Sequence, residues 1–430
     1  RSHLYLSYGS GARVFIPETD EIWGNGFSYG RGTIELNLYA CAGDAACRLR
    51  LIARLTMEEY LYGLGEVPAS WPMASLQAQA VAARSYATYA LRRYGLRGSC
   101  NCNLTDGAGD QVYAGWSKES GELGGRWKRA VDTTERQLAT YKGNVIQAFY
   151  AASDGGHSED VEDVWHGGNP DYAIPWLRGV CNPGEWVSQN PWLDWVRTFD
   201  ASTVTARLAP YTGSIGTVRR FANAVRGDSG RIITIVVRGA SGSKTIAGSS
   251  LRSALGLPDG RVWVNQNRNV TGAIRTVYDR LGCAPGLAES APKAVAGGSQ
   301  QLFEVGGLYR NAGRDLTVWL KGELDAEYRK VKAAAGTLGV PVSGVRALRT
   351  TCTCKRIDFV GGRIYWKGGL GAHALWGPVL DTYLGNGGAG GALGFPTSRV
   401  RRPAAGGSRA TFEHGSISCD ADGACTVTVG

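Results

Sequence analysis

Residues 60–94 read YLYGLGEVPASWPMASLQAQAVAARSYATYALRRY, and this stretch decides how the first part of the chain folds. Glycines punctuate its beginning, and Glu66 follows them, immediately before Val67 and Pro68. A carboxyl group on a constrained turn with apolar neighbours is suited to general acid catalysis. Glu66 is therefore the candidate catalytic residue.

The second half of the stretch predicts a helix over residues 72–94. Pro72 fits its first turn and Gly95 fits its C-terminal stop. Alanines dominate the stripe expected to be buried, so another element can approach closely. Gln77 and Arg84 lie two turns apart on a common face, where they can bind a ligand or tie the helix to a neighbouring loop.

Alternating apolar and polar residues predict strands before position 60 and again over 217–265. A second helix is expected over 126–140. A strand, VIQAFYAAS, should follow it and end in Ser153-Asp154-Gly155-Gly156. The predicted fold class is α+β, with a β-rich catalytic domain around a central alanine-rich helix.

Residues 284–300 contain mostly Ala, Pro, Gly and Ser, which predicts a linker between domains at 1–283 and 301–430. The second domain contains an internal repeat. Residues Gly322, Tyr328, Leu338, Gly339, Pro341 and Ser343 recur 55 positions later as Gly377, Tyr383, Leu393, Gly394, Pro396 and Ser398. Each unit should form short strands and helices.

Bulk composition narrows the function classes. The chain has 430 residues, a net charge of +10, 13 Trp and 19 Tyr. The basic residues are scattered and no nucleic-acid-binding motif is present, so an anionic surface such as a cell wall, or solubility alone, accounts for the charge. The aromatic rings suit carbohydrate binding or core packing. No apolar run reaches the roughly 18 residues of a membrane span.

The ten cysteines and the missing initial methionine predict a mature exported protein. Expected disulfides are Cys41–Cys47, Cys419–Cys425 and Cys181–Cys283. Cys100 and Cys102, together with His157, form a possible zinc set, although a disulfide is the more usual role of cysteine in an exported protein. No cofactor is predicted.

The stretch around Glu66 resembles the SpoIID/LytB family, the stage II sporulation protein D group, whose pattern includes Y-L-x-G-V-V-x-x-E-M-P and A-L-K-A-Q-A-V-A-A-R-T-Y. DQVYAG at 110–115, FYAASDGGHSEDVEDVW at 149–165 and SSLRSALGL at 249–257 resemble later blocks of the family in the same order. The resemblance covers roughly residues 1–282.

This resemblance implies a peptidoglycan lytic transglycosylase. Such an enzyme cleaves the β-1,4 bond between N-acetylmuramic acid and N-acetylglucosamine and leaves a 1,6-anhydro-muramyl end. It implies Glu66 as the acid/base, because the nucleophile, the C6 hydroxyl, belongs to the substrate. The substrate-binding candidates are Gln77, Arg84, Gln111, Tyr150, Ser153, Asp154, Gly155 and Gly156.

Two alternatives remain open. A second carboxylate from residues 154–163 would favour a glycoside hydrolase acting on another polysaccharide. The amidase-enhancer members of the family suggest a non-catalytic enhancer that cooperates with a cell-wall amidase.

The second domain resembles the LGFP repeats of actinobacterial cell-wall proteins, through Leu393-Gly394-Phe395-Pro396 and the weaker Leu338-Gly339-Val340-Pro341. This resemblance implies a secreted, wall-associated protein whose partners are glycan strands. A spacer without a ligand is the alternative role of the repeats.

Overall fold

The computed structural model describes residues 3–7, 9, 11–17, 26–39, 47–185, 190–192, 195–348, 352–403 and 406–430. The chain forms two compact units, Arg1–Ala152 and Ser153–Gly430. Helices and strands are mixed in both units, which confirms the α+β class. No helix in the described ranges is long and apolar enough to cross a membrane.

Small antiparallel sheets open the first unit. One sheet has the order β1-β4-β5, and β2 pairs with β3. Ile34 of β4 is fully buried in a core shared with the helices that follow. The strands are β1 (His3–Ser7), β2 (Val14–Ile16), β3 (Phe27–Tyr29), β4 (Thr33–Tyr39), β5 (Arg48–Arg54), β6 (Thr140–Tyr141) and β7 (Asn144–Val145).

The long helix of this unit forms where the sequence predicts it, with Pro72 just outside as the N-cap and Gly95 as the C-cap. Leu76, Ala80 and Ala83 are fully buried, so the small side chains do allow close packing. The helices are α1 (Met57–Tyr62), α2 (Met73–Tyr94), α3 (Trp116–Ser120) and α4 (Gly124–Asp132).

Two expectations for the region after α2 are wrong. The second helix spans Gly124–Asp132 and ends well before residue 140. The hydroxyls of Thr133 and Thr134 bond the carbonyls of Arg129 and Ala130, and side chains that bond the backbone in this way compete with helix continuation. Of the predicted strand VIQAFYAAS, residues 145–153, only Val145 belongs to a regular strand, Asn144–Val145.

The second unit begins with irregular segments and a three-stranded antiparallel sheet of order β10-β9-β8. Its core contains Val237 of β9 and Leu208 of α6, both fully buried. The elements are α5 (Val161–Trp165), α6 (Ala201–Thr212), β8 (Val218–Arg226), β9 (Ile232–Gly239), β10 (Ser243–Ala247), α7 (Gly248–Leu255) and α8 (Gly272–Arg280), with 3-10 turns at Pro170–Tyr172 and Pro183–Glu185.

The repeat region consists of three antiparallel sheets, and a helix follows each of the first two. In each sheet a Phe pairs across a hairpin turn with the Gly three positions later: Phe303 with Gly306, Phe359 with Gly362, and Phe412 with Gly415. The elements are β11 (Lys293–Val295), β12 (Gly298–Phe303), β13 (Gly306–Asn311), β14 (Leu316–Leu320), α9 (Gly322–Lys330), β15 (Arg346–Ala347), β16 (Cys354–Phe359), β17 (Gly362–Lys367), β18 (Gly371–Trp376), α10 (Gly377–Gly385), β19 (Ser408–Phe412), β20 (Gly415–Cys419) and β21 (Cys425–Val429), with 3-10 turns at Ala333–Ala335 and Gly388–Gly390.

Equivalent repeat residues make equivalent contacts. The hydroxyl of Tyr328 donates to the carbonyl of Gly339 at 2.5 Å. Tyr383 and Gly394, 55 positions later, make the same bond at 2.7 Å. Both tyrosines are fully buried. The recurrence in the sequence therefore corresponds to a recurring structural unit.

The expected linker at 284–300 is folded. It contains β11 and the beginning of β12, and Ala288 lies in a core with Tyr278, Phe303 and Leu308. A segment with few large apolar residues can still form a strand when its neighbours supply the core. The division between compact units falls at residues 152 and 153, and the domain limits at 283 and 301 stay a prediction.

Disulfides join Cys181 to Cys283 and Cys419 to Cys425, as expected. Two further disulfides, Cys100–Cys102 and Cys352–Cys354, close short C-x-C loops. Cys41 lies outside the described residues, so its pairing with Cys47 stays a prediction.

Candidate functional site

Glu66 lies just after α1, on a segment held against residues 112–114. Gly65 N–H donates to the carbonyl of Val112 at 2.9 Å, and Ala114 N–H donates to the carbonyl of Gly63 at 2.7 Å. A Cβ on Gly63 would lie 2.3 Å from the ring of Tyr113. A glycine is therefore required here because the Tyr113 ring packs directly on the main chain.

The Glu66 carboxyl group is held from one side. Its Oε1 accepts hydrogen bonds from Val112 N–H at 2.7 Å and from the Tyr150 hydroxyl at 3.0 Å. Within the described ranges, its Oε2 has no hydrogen-bond partner. The side chain is half-buried. One carboxyl oxygen is thus fixed by the protein, and the other is available to a substrate.

A chain of hydrogen bonds orients Tyr150. The Tyr60 hydroxyl donates to Gln111 Oε1 at 2.9 Å, and Gln111 Nε2 donates to the Tyr150 hydroxyl oxygen at 2.8 Å. Gln111 is fully buried. Because its amide offers one acceptor and one donor side, the direction of each bond is set and Tyr150 must donate to Glu66.

Tyr60 and Tyr150, the two tyrosines of this hydrogen-bonded network, remain protonated. Burial raises the pKa of Tyr150 well above its usual range, and the charge of Glu66 raises it further against the opposing effect of the Gln111 bond. Burial likewise raises the pKa of Tyr60. Both hydroxyls are therefore permanent donors, and Tyr150 serves Glu66 as a fixed dipole.

Sequence reasoning identified Gln111 and Tyr150 but missed Tyr60 and the Val112 N–H group. Tyr60 is the first residue of the quoted stretch, six positions before Glu66, and its ring stacks on Tyr113 at 5.7 Å. The aromatic residue in the Y-L-x-G pattern was the signal available for Tyr60. A backbone donor such as Val112 N–H leaves no side-chain signal.

Arg84 connects α2 to neighbouring segments of the same unit and is enclosed by them. Its side chain is 2% exposed, and it donates to both carboxylate oxygens of Glu58 at 2.9 and 2.8 Å. It also donates to the carbonyls of Val131 and Gln137. A guanidinium group enclosed in this way has no surface to offer a glycan, which corrects its predicted role as a substrate contact.

Gln77 lies on a groove instead. Its amide donates to the Thr133 hydroxyl at 2.9 Å. The groove has a volume of about 600 Å³. Its lining consists of Gln77, Ala78, Val81, Ala82, Thr133, Thr134, Gln137, Ala139 and Ala148. Glu66 is not on this lining.

Ser153, Asp154, Gly155 and Gly156 belong to the second unit. Asp154 Oδ1 accepts from Gly156 N–H at 2.9 Å, and its Oδ2 accepts from the Asn182 amide at 3.1 Å. The Ser153 hydroxyl donates to Glu185. Both glycines have positive φ, 66° and 92°, so this turn requires glycine.

Most of the acids at 154–163 are engaged within their own unit. Asp160 and Glu162 pair with Arg178, which holds the pKa of Glu162 below its usual range. Glu159 accepts from Ser229. Asp163 differs: its carboxyl group has no hydrogen-bond partner in the described part of the chain. Burial, followed by the charge of Glu159 and its neighbours, raises the pKa of Asp163 to about 6.

The two cysteines of the possible zinc set are bonded to each other. Cys100 and Cys102 form a disulfide, so neither sulfur is a thiolate ligand in this structure. His157 Nδ1 lies 2.6 Å from the carbonyl of Ser158. Over the described ranges, no group of three or more His, Cys, Asp or Glu side chains is arranged to hold a metal ion.

Comparison with known proteins shows which families two parts of the chain resemble. Residues 46–141 match the SpoIID family, described as stage II sporulation protein. Residues 338–391 match the LGFP repeat. Both family resemblances stated from the sequence are thus confirmed over these residues: the chain carries a SpoIID segment that includes Glu66, and an LGFP repeat that includes Leu338–Pro341.

Individual relatives match parts of the chain. Stage II sporulation protein D of Bacillus subtilis is 26% identical over 220 residues, which cover 48% of this chain and 59% of that protein. The amidase enhancer of Bacillus subtilis is 35% identical over 147 residues, 34% of this chain and 17% of the enhancer. An uncharacterised protein of Brachyspira hyodysenteriae is 34% identical over 144 residues, 33% of this chain and 36% of the relative. The chain therefore spans between about a sixth and three fifths of these relatives.

Proposed function

We propose that the protein is a secreted, wall-associated enzyme that cleaves peptidoglycan glycan strands as a lytic transglycosylase, with Glu66 as its acid/base. The observation that carries this proposal is the asymmetry of the Glu66 carboxyl group: Oε1 is fixed by Val112 N–H and Tyr150, and Oε2 has no partner in the described ranges. The SpoIID match over residues 46–141 supports the substrate class.

One carboxyl group suffices for this reaction. Glu66 protonates the glycosidic oxygen as the bond to the muramyl C1 breaks. The resulting carboxylate then removes the proton from the C6 hydroxyl of the same sugar, whose oxygen bonds to C1 and closes the anhydro ring. The proton that Glu66 lost is thereby restored, and no water is consumed. Because the nucleophile is held within the substrate, its effective concentration is high.

The network around Glu66 serves both steps. Tyr150 and Val112 N–H hold Oε1, so that Oε2 keeps one direction while it gives and then takes a proton. A hydrogen bond to the ionised carboxylate also stabilises the intermediate stage. Gln77, with its exposed groove, is a proposed contact for the glycan, and Gln111 and Tyr150 act by positioning Glu66.

The hydrolase alternative depends on a second carboxylate. Of the acids at 154–163, Asp163 is the one whose carboxyl group has no hydrogen-bond partner in the described ranges. The enhancer alternative is favoured by the identity to the amidase enhancer over 147 residues.

Product analysis separates the three functions. Purified protein and its Glu66→Gln variant are incubated with glycan strands that carry or lack stem peptides, and the products are identified by mass spectrometry. Anhydro-muramyl ends that are absent with Glu66→Gln support the proposal. Reducing ends that gain one water would favour the hydrolase. Intact strands, together with stimulation of a cell-wall amidase, would favour the enhancer.

The repeat region is proposed to tether the enzyme to the wall. A piece spanning residues 270–430, with Cys283→Ser, retains the core that Tyr278 shares with Phe303 and Leu308. We expect this piece to sediment with isolated cell walls. If it stays in the supernatant while the full chain sediments, the repeats are a spacer.

A further inference from the structure

Two arginines hold the main chain of the turn at 154–157 in the second unit. Arg231 donates to the carbonyls of Asp154 at 2.6 Å and His157 at 2.7 Å. Arg261 donates to the carbonyl of Gly155 at 2.5 Å. The turn is therefore attached to the protein through its oxygen atoms.

Besides the side chains of Asp154 and His157, the remaining polar groups of this turn are N–H groups. The Asp154 carboxylate accepts from Gly156 N–H and the Asn182 amide. The carbonyl of Gly156 also has a donor, Asn182 N–H at 2.9 Å, so all four carbonyls at 154–157 are occupied. In the described part of the chain, Gly155 N–H has no hydrogen-bond partner. A Cβ on Gly155 would lie 3.9 Å from both Arg231 Nη2 and Arg261 Cδ. A free N–H group and two arginine side chains thus lie close together.

Several arginines lie close to this point, and the carboxylates of Asp154 and Asp259 lie among them. Arg226 donates to the carbonyls of Gly230 at 2.6 Å and Val262 at 2.9 Å, which brings it beside Arg261. Arg231 pairs with Asp259 at 3.0 Å. Arg226, Arg261 and the neighbouring Arg268 have no carboxylate partner in the described ranges. We call Arg226, Arg231, Arg261 and Arg268 the arginine cluster.

The pKa values of two of these arginines are lowered. Burial, and then the charges of Arg268 and Arg261, lower the pKa of Arg226 to about 10. Burial also lowers the pKa of Arg261. Half-buried guanidinium groups without counter-charge are destabilising, and a bound oxyanion would relieve this with charge-assisted hydrogen bonds.

An aromatic ring completes the surroundings. The Arg226 guanidinium carbon lies 4.8 Å from the centre of the Trp263 ring. We propose that the arginine cluster, Gly155 N–H and Trp263 form a binding site for an oxyanion carried by a wall polymer. The proposal rests on the proposed function only for the polymer's location in the wall. A carboxylate of an acidic sugar and a phosphodiester of a wall polymer share this chemistry.

The test measures binding without cleavage. Full-length Glu66→Gln protein is titrated with muramyl glycan strands that carry free carboxylates, with the same strands after chemical reduction of the carboxylates to alcohols, and with a polyol phosphate polymer. Arg226→Gln and Arg268→Gln are each added to this background. Arg219→Gln is the matched control, because Arg219 is an exposed arginine of β8 and its loss removes the same charge.

We expect one oxyanion form to bind more tightly than reduced strands, and Arg226→Gln or Arg268→Gln to weaken it roughly tenfold while Arg219→Gln changes it less than twofold. Preference for the carboxylate strands identifies an acidic sugar, and preference for the phosphate polymer identifies a phosphodiester. Equal binding of all three polymers, or equal loss in Arg219→Gln, would overturn the proposal. Thermal unfolding of each variant separates misfolding from lost binding. Failure of Glu66 to generate anhydro ends would refute the proposed function alone.

Discussion

The Tyr150→Phe variant removes a single hydroxyl group, the one that donates to Glu66 Oε1 at 3.0 Å and accepts from Gln111 Nε2 at 2.8 Å. A hydrogen bond to a charged group contributes about 1.5–3 kcal/mol. Val112 N–H still holds Oε1 at 2.7 Å, so Glu66 is loosened but stays in place. A barrier increase of about 2 kcal/mol corresponds to a roughly thirtyfold lower rate.

The same variant has a cost in stability. Gln111 is 0% exposed, and without the Tyr150 oxygen its Nε2 retains only the Ala83 carbonyl at 3.4 Å. A buried donor left without a good partner costs about 1–3 kcal/mol. We therefore expect the free energy of unfolding to fall by that amount.

The assay is the initial rate of strand cleavage, with urea unfolding measured on the same samples. The rate should fall at saturating substrate with little change in KM, because Tyr150 orients Glu66. Tyr89→Phe is the control, since the Tyr89 hydroxyl has no hydrogen-bond partner in the described ranges and its ring contacts Tyr94. A Tyr150→Phe rate within twofold of the wild type would refute this account of the network.

Three further perturbations test the structure. Arg84→Met should lower the free energy of unfolding by about 3–5 kcal/mol in urea denaturation, because it leaves Glu58 without its buried partner; Lys128→Met, which breaks the exposed pair with Asp132, should cost under about 1 kcal/mol. The pKa of Asp163 is raised to about 6 from 3.8, so the folded protein loses stability as pH rises through that range and the carboxyl group ionises. Asp163→Asn should abolish this decline and raise the free energy of unfolding at pH 7 by about 1 kcal/mol after solvent screening. An unchanged pH profile of thermal unfolding would contradict this. Replacing both Cys181 and Cys283 by Ala opens a loop of 102 residues and should cost about 2–5 kcal/mol, whereas the same change at Cys100 and Cys102 should cost far less; equal losses would contradict the loop-entropy argument.

Local sequence signals predicted those elements whose limits are set by residues next to them in the sequence. The α2 helix begins and ends within a residue of its predicted limits, because Pro72 and Gly95 stop it on both sides. The second helix ended early because threonine hydroxyls bond its last carbonyls, which a helical pattern does not reveal. The expected linker is folded because its core partners, Tyr278 and Phe303, lie on either side of it in the sequence.

In the candidate site as well, some features could be predicted from the sequence and others could not. A motif was enough to select Glu66, Gln111 and Tyr150, and the structure joins these three in one hydrogen-bonded network. Arg84 was selected from the same motif, but it forms a buried ion pair with Glu58. The sequence pattern of an arginine on a helix face is the same whether its side chain binds a ligand or a glutamate of the protein. The Val112 N–H group could not be predicted, because a main-chain donor becomes visible only when two segments pair.

The most direct test of the central claim is cleavage of glycan strands in ¹⁸O-labelled water, followed by mass spectrometry of the new ends. If Glu66 protonates the glycosidic oxygen and then takes the proton of the C6 hydroxyl, the new ends are anhydro-muramyl groups without the label, and Glu66→Gln produces none. New reducing ends that each carry one ¹⁸O atom would contradict the account, because water and not the sugar would then be the nucleophile.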